Sequence, residues 1–289
     1  MCRLFAMSGG RARVHATFWL LEAPDSLSEQ SRREPDGTGL GHYERDRPIV
    51  TKRAVAAYED QEFAREAKRV ESRTFVAHVR YASTGGLSER NTHPFEQDGR
   101  LFAHNGVIEG LDRLEAELGA AMSLVKGETD SERLFALITR ETQRTGDVSE
   151  GIAAAARWVA EHLPVFAINL VLITAQELWA LRYPDSHDLL VLERDAGGAG
   201  GDRHLEHSSP RGRIHVRSGD LAAHPAVVVA TERMDEDPAW TPLGSGELLH
   251  VDPDLRVTRT RVIDTPPAHP LTLADLGITA AASQAPQTH

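Results

Sequence analysis

The sequence predicts an α+β protein folded as one domain, with β-sheets covered on their outer faces by helices. Three observations carry this. Strand-like alternation occurs at the very start of the chain and recurs through the second half. Strong helical patterns cluster between them, up to the proline at position 164. The 289 residues suffice for a substantial core and contain no internal repeat. Residues 2–264 read as the folded domain. Residues 265–289, with weak periodicity, read as a weakly structured C-terminal arm.

The elements follow in order. CRLFAMSG begins a short strand at the terminus itself. DSLSEQSRR, from Asp25, predicts a short helix stopped by the Pro-Asp-Gly turn at Pro35 to Gly37. GLGHYE and PIVTK read as strands. DQEFAREAKRVES, from Asp60, places Phe63, Ala67 and Val70 on one helical face. In RTFVAHVRYAS, from Arg73, Phe75, Ala77 and Val79 alternate with Val76, His78 and Arg80, the period of a strand. A glycine-containing loop follows, then LFAHNG at 101–106. LDRLEAELG predicts a short helix ending at Gly119. TDSERLFALITRETQ predicts a longer one, opened by a capping box of Thr129 with Glu132 and carrying Asp130 in its first turn. VSEGIAAAARWVAEHL is the next helix, and Pro164 punctuates its end. Beyond it, VFAINLVLIT, ELWALRYP and DLLVLER read as sequential antiparallel strands. Residues 196–213 form a loop rich in Gly and Ser. RIHVRS, AVVVATE and ELLHVDP are further strands.

Charge and composition narrow the function classes. The net charge is −11, from 32 basic and 43 acidic residues, which argues against a nucleic-acid partner held through phosphates. The longest strongly apolar run, at 165–174, is too short to cross a bilayer as a helix. MCRLFAMSGGRAR lacks the apolar core of a signal peptide. The single cysteine cannot form an intrachain disulfide, which fits a reducing cytoplasm.

That cysteine is Cys2, directly behind the initiator methionine. Once the methionine is removed, residue 2 carries both a thiol and a free α-amine. The amine titrates near ~7.7–8.0 in model peptides and can serve as a base for the nucleophile on the same residue. The alternative is a buried cysteine acting as a small hydrophobe on the first strand. Three further clusters stand out. Arg80 lies near a strand-to-loop exit, in HVRYASTGG. Asn105-Gly106 lies in AHNG. Asp130 opens a helix, in ETDSE. Singly, each has an ordinary explanation: a surface ion pair, a hairpin turn, or a helix-dipole carboxylate. His78, His93 and His104 fall close together, but no H-E-x-x-H or Cys-x-x-Cys pattern accompanies them, so neither a metal nor another cofactor is expected.

Taken together and in order, MCRLFAMSG, PDGTG, H-x-R-Y-A-S-T-G, N-T-H-P-F, F-A-H-N-G and T-D-S-E resemble the class II glutamine amidotransferase domain, in its stand-alone bacterial branch. The C-terminal pieces INLVLITAQELWALRYP and VVVATERMDEDPAWTPLGSGELLHV share the likeness. The resemblance implies an N-terminal-nucleophile hydrolase with a four-layer αββα sandwich, two antiparallel sheets lying between helical layers. It implies that Cys2 attacks a γ-carboxamide carbon to form a γ-glutamyl thioester, with its own α-amine as base. Asn105 and Gly106 would form the oxyanion hole. Arg80 and Asp130 would hold the carboxylate and ammonium of the substrate, and Gly85 and Gly86 would line the same pocket. His93 and His104 would be structural hydrogen-bonders. Thr38 and Thr84 depart from residues common in relatives, which bears on substrate choice. Three functions follow from the likeness. The first is a stand-alone hydrolase of glutamine or a γ-glutamyl conjugate. The second is a glutaminase subunit feeding ammonia to a separate synthase chain. The third is an inactive binding domain on the same fold. The expected partners are a small-molecule γ-glutamyl substrate, with a synthase or a second copy of the chain beside it.

Overall fold

The structure, a computed structural model, describes residues 2–33, 36–80, 86, 88–197, 206–208, 215–217 and 223–284. Two seven-stranded sheets lie face to face. The first runs in the order Thr241–Pro242, Leu190–Arg194, Ala226–Ala230, Arg3–Ser8, Thr74–Arg80, Gly37–Glu44, Arg47–Arg53. The terminal strand is therefore central, paired antiparallel on both sides. The second runs Val257–Arg261, Glu247–Val251, Leu178–Arg182, Pro164–Ile173, Arg100–Ile108, Phe95–Gln97, and the short strand His269–Pro270 pairs in parallel with Pro164–Ile173.

The alternation of Arg3–Ser8 explains the layering. Leu4 and Ala6 point between the sheets, where they meet Val76, Ala103, Val171 and Val229. Phe5 and Met7 point the other way, against Phe18, Trp19, Leu20 and Phe63 from the helical segments Phe18–Glu22 and Gln61–Arg69. On the second sheet, Phe102, Ile168, Leu170 and Leu172 pack outward onto Leu134, Phe135, Ile138, Ile152 and Val159 of the helices Asp130–Thr145 and Val148–His162. Phe102 and Phe135 stack with centroids 4.7 Å apart, the offset geometry that adds to area burial. Helix, sheet, sheet, helix is the expected αββα sandwich.

Several local expectations meet a different outcome. DLLVLER does not extend the antiparallel run, because Leu190–Arg194 pairs with Ala226–Ala230 in the first sheet. The crossing segment is held by buried hydrogen bonds. Asn169 Nδ2 donates to the carbonyls of His187 and Asp188, both at 3.2 Å, and Arg182 Nε donates to His187 O at 2.7 Å. These satisfy the carbonyls of His187 and Asp188 where the chain passes from one sheet to the other. FWLLE, unassigned from sequence, forms a π-helical turn over Phe18–Glu22. The helix in DSLSEQSRR covers only Leu27–Gln30, capped by Ser26, and Pro35 lies outside the described residues. The capping box is half made. Thr129 Oγ1 accepts from Glu132 N at 3.2 Å, but Glu132 Oε2 turns to Gly127 N at 2.6 Å. Most of the 196–213 loop lies outside the described residues; within it, Glu206–Ser208 pairs with His215–Arg217.

Residues 265–284 follow the second sheet. Ala268 N donates to Ala160 O at 2.8 Å and Leu271 N to Val165 O at 2.9 Å. A helix, Ile278–Gln284, ends this stretch. Leu276 is buried with Val107, Phe166 and Ala167, and Ala280 and Ala281 pack on the same cluster.

Candidate active site

The first described residues are held within a sheet. Register pairs Arg3↔Val79 and Leu4↔His78 set the next residue, Cys2, beside Arg80. Arg3 is fully buried and forms an ion pair with Glu232 at 2.7 Å. On the other flank, Leu4 N donates to Thr231 Oγ1 at 3.2 Å. Terminal residues commonly lack order unless a sheet ties them down, and here both neighbouring strands do so. Cys2 itself is buried.

Asn105 and Gly106 come from Arg100–Ile108 of the opposite sheet and reach the same point. Asn105 Nδ2 donates to the Cys2 carbonyl at 2.9 Å. That carbonyl can only accept, so the amide orientation is chemically determined. The NH2 group has a second hydrogen, which this bond leaves available. Asn105-Gly106 is no hairpin turn, since both residues lie within a strand, opposite Asn169 and Ile168. Gly106 is required by close approach: a Cβ there would sit 1.9 Å from Ala167 O. Gly39 of PDGTG is constrained alike, its Cβ falling 1.9 Å from His93 O, which lets the His93 segment lie against the Gly37–Glu44 strand.

Asp130 occupies the first turn of its helix and is buried. Its Oδ2 accepts from Ile108 N at 3.0 Å and its Oδ1 from Ser131 N at 2.9 Å. The helix N-terminus is thus locked to the strand that carries Asn105. Ser131 Oγ lies 2.9 Å from His104 Nδ1, and His104 Nε2 lies 3.3 Å from Ala167 O, so His104 bridges helix and strand as a structural hydrogen-bonder. Both ring nitrogens of His93 lack a partner among the described residues. It is held by ring contacts instead, 4.3 Å from His78 and 4.7 Å from Phe95 between centroids.

Arg80 Nη1 donates to Gly86 O at 3.2 Å. Burial pulls the Arg80 guanidinium below its usual range, while the opposing charges at Cys2, Asp36 and Asp130 hold it up. Gly86 is further fixed by Asn91 Nδ2, 3.2 Å from its carbonyl, and by Glu128 Oε2, 3.3 Å from its N–H. Gly85 and Thr84 lie outside the described residues. One pocket brings together Cys2, Arg80, Asn105, Gly106 and Asp130, with Asn91, Thr129, Ser131, Gln284 and the three histidines completing it. Asn91, Ser131 and Gln284 were not predicted. Asn91 stood in a quoted motif, N-T-H-P-F, and Ser131 in T-D-S-E, so both carried a signal; Gln284 carried none. Among the described residues no group of His, Cys, Asp or Glu is arranged to hold a metal ion.

Burial keeps the histidines neutral. His78 is pushed down to about 3, first by burial and then by Arg80. His93 is held well below 6.5 by burial and by its histidine neighbours. Burial lowers His104 too, with Asp130 opposing. Arg80 is therefore the side-chain cation among the described residues of the pocket. Below 6.5 the unfolded chain binds more protons than the folded one at these sites, so stability is fully present above that pH and is lost as pH falls through it. Each neutral histidine adds a slope of about 1.4 kcal/mol per pH unit. Melting temperature is expected to drop steeply between pH 6.5 and pH 4.5. His93→Phe, which keeps the ring contacts, should flatten the curve by its own share. Superimposable curves for variant and wild type would contradict this.

The profile of the class II glutamine amidotransferases matches residues 1–269. A probable glutamine amidotransferase of Saccharomyces cerevisiae is 30% identical over 168 residues, covering 50% of this chain and 47% of that protein. A glutamine–fructose-6-phosphate aminotransferase of Idiomarina loihiensis is 29% identical over 150 residues, covering 52% and 24%. The chain spans less than half the length of these curated relatives. Among solved structures, a glutamine phosphoribosylpyrophosphate amidotransferase from B. subtilis superimposes with a TM-score of 0.63 at 20% identity, covering 92% of this chain and 50% of that one. A glutamine aminotransferase class-II domain protein from silicibacter pomeroyi gives 0.59 at 20% identity, covering 90% and 99%. These structural likenesses concern the fold.

Proposed function

The chain belongs to the class II glutamine amidotransferases, and from that premise we propose that it hydrolyses a γ-glutamyl amide as a stand-alone enzyme through a thioester on Cys2. The observation that carries the reading is the convergence in one pocket of Cys2, Arg80, Asn105, Gly106 and Asp130, which come from two sheets and a helix N-terminus.

The chemistry follows from the groups. With Met1 removed, the Cys2 amine takes the thiol proton as sulfur attacks the γ-carbonyl carbon. The carbonyl oxygen becomes an oxyanion, accepting the second Asn105 Nδ2 hydrogen and the Gly106 N–H. The protonated amine then gives its proton to the departing nitrogen as the C–N bond breaks, leaving the γ-glutamyl thioester. Water, deprotonated by the same amine, adds to the thioester; glutamate leaves and the thiol re-forms. Arg80 grips the α-carboxylate as a planar fork, and Asp130 faces the α-ammonium.

Release of ammonia or amine, and of glutamate, from a panel of γ-glutamyl compounds by protein with an untagged N-terminus tests the reading. Turnover of none of them would end it. A second reading, ammonia supply to another chain, draws on the greater length of the aminotransferase relatives. It predicts slow turnover that rises when the partner is added.

Asn105→Ala is expected to lower kcat by about 10²–10³ with a smaller change in KM, the effect of losing one oxyanion donor. Steady-state kinetics on glutamine check it; a raised KM with unchanged kcat would make Asn105 a binding residue instead.

A further inference from the structure

Gln284 lines the same pocket as Cys2, although it lies at the far end of the described chain. Its side chain is 1% exposed. Gln284 Oε1 lies 3.0 Å from His187 Nε2, and its Nε2 donates to Ser283 Oγ at 3.3 Å. The carbonyl oxygen of Gln284 can only accept, so His187 donates, which fixes its proton on Nε2. His187 is held in turn by an edge-on contact with Phe166, centroids 5.1 Å apart. The helix carrying Gln284 docks through Ala280 and Ala281, with Leu276 just before it, on Val107, Phe166 and Ala167. Val107 follows the oxyanion-hole glycine directly, and Ala167 is the residue that Gly106 touches. The helix therefore packs behind the reacting centre rather than beside a remote surface.

Sheet order gives this wall a direction. Thr74–Arg80, with Arg80 at its end, flanks the Cys2 strand on one side. Ala226–Ala230 and then Leu190–Arg194 flank it on the other. His187 stands just before Leu190–Arg194, on that second flank. A substrate whose α-carboxylate is gripped by Arg80 and whose γ-carbon meets Cys2 extends its departing nitrogen away from Arg80, toward His187 and Gln284.

We propose that Gln284, clasped by His187, forms the wall of the pocket on the leaving-group side and so decides which amines can depart. The inference rests on the γ-glutamyl amide reading above and sharpens it. With the clasp in place the favoured substrate is a γ-glutamyl amide with a small leaving group, glutamine itself above all. Bulky γ-glutamyl conjugates are disfavoured because they must displace a buried, hydrogen-bonded side chain.

The test compares kcat/KM for glutamine and for γ-glutamyl-p-nitroanilide in wild type, Gln284→Ala and His187→Phe. The phenylalanine keeps the ring contact with Phe166 and removes the donor to Gln284. Both variants should shift the ratio toward the anilide by about tenfold or more, the scale on which one pocket contact discriminates. Gln284→Trp, which fills the space, should shift it the opposite way. Should Gln284→Ala prove unstable by melting temperature, Gln284→Asn shortens the side chain while keeping the amide, and a smaller shift in the same direction is expected. Ratios within twofold of wild type in all variants, with glutamine still hydrolysed, would overturn the wall and leave the γ-glutamyl reading intact. If wild type hydrolyses neither compound, the γ-glutamyl reading fails and the wall with it.

Discussion

Cys2→Ala is expected to abolish turnover while leaving the melting temperature within a few degrees of wild type. The substitution deletes one sulfur and keeps the residue 2 carbonyl, so the hydrogen bond from Asn105 at 2.9 Å survives. The register on both flanks begins at Arg3 and Leu4 and does not depend on the thiol. The chemistry has no substitute thiol, because Cys2 is the only cysteine in the sequence. Intact-mass measurement should show that active protein lacks Met1, since an acylated α-nitrogen cannot accept the thiol proton. A glutamine-like diazoketone should add one equivalent, located on Cys2 by peptide mapping, and none to the alanine variant. Wild-type turnover in Cys2→Ala, or full activity in protein that retains Met1, would remove the mechanism.

Arg80→Lys and Asp130→Asn are expected to lose most of kcat/KM, for different reasons. A lysine ammonium cannot reproduce the two parallel hydrogen bonds of a guanidinium to a carboxylate. It would also forfeit the bond to Gly86 O at 3.2 Å. On the proposed reading, Asp130→Asn removes the charge facing the substrate ammonium, at about 2–5 kcal/mol for a desolvated pair. The structure adds a second cost, because both Asp130 oxygens already accept backbone N–H groups, from Ile108 and Ser131. An amide can present only one oxygen to them, so this variant should also melt earlier. Amides lacking the α-carboxylate or the α-amine separate binding from scaffold. Wild type should discriminate strongly against each, and each variant much less against the analogue missing its own partner group. Equal hydrolysis of truncated and complete amides by wild type would show that the pocket does not read an amino-acid end.

Much of this arrangement was legible in the residues. The alternation of residues 73–80 places Arg80 at a strand exit, and the T-D-S-E capping pattern places Asp130 in a first turn, because both features depend on local geometry. Asn105-Gly106 was ambiguous by the same logic. The pair suits a hairpin, and only the approach of Ala167 from another strand shows why glycine stands within the ladder. DLLVLER reads as a strand, but its partner is set by buried bonds from Asn169 and Arg182 that no periodicity encodes. Gln284 was the least legible. ITAAASQ is weakly periodic, and its burial arises from docking on a surface assembled from residues far away in sequence.

Cys2 and Gln284, the first and last residues described, line one pocket. This has a consequence for how the protein comes into being. During synthesis Cys2 leaves the ribosome well before the helix bearing Gln284. The central strand must wait for Ala226–Ala230 before both its edges are paired. A nascent chain therefore carries the Cys2 thiol before the residues that enclose it have been made, and the pocket closes only once the helix Ile278–Gln284 has emerged. Contacts of such long sequence separation fold slowly, so activity regained after denaturation is expected to lag behind the recovery of helical signal from the locally closed helix pair Asp130–Thr145 and Val148–His162.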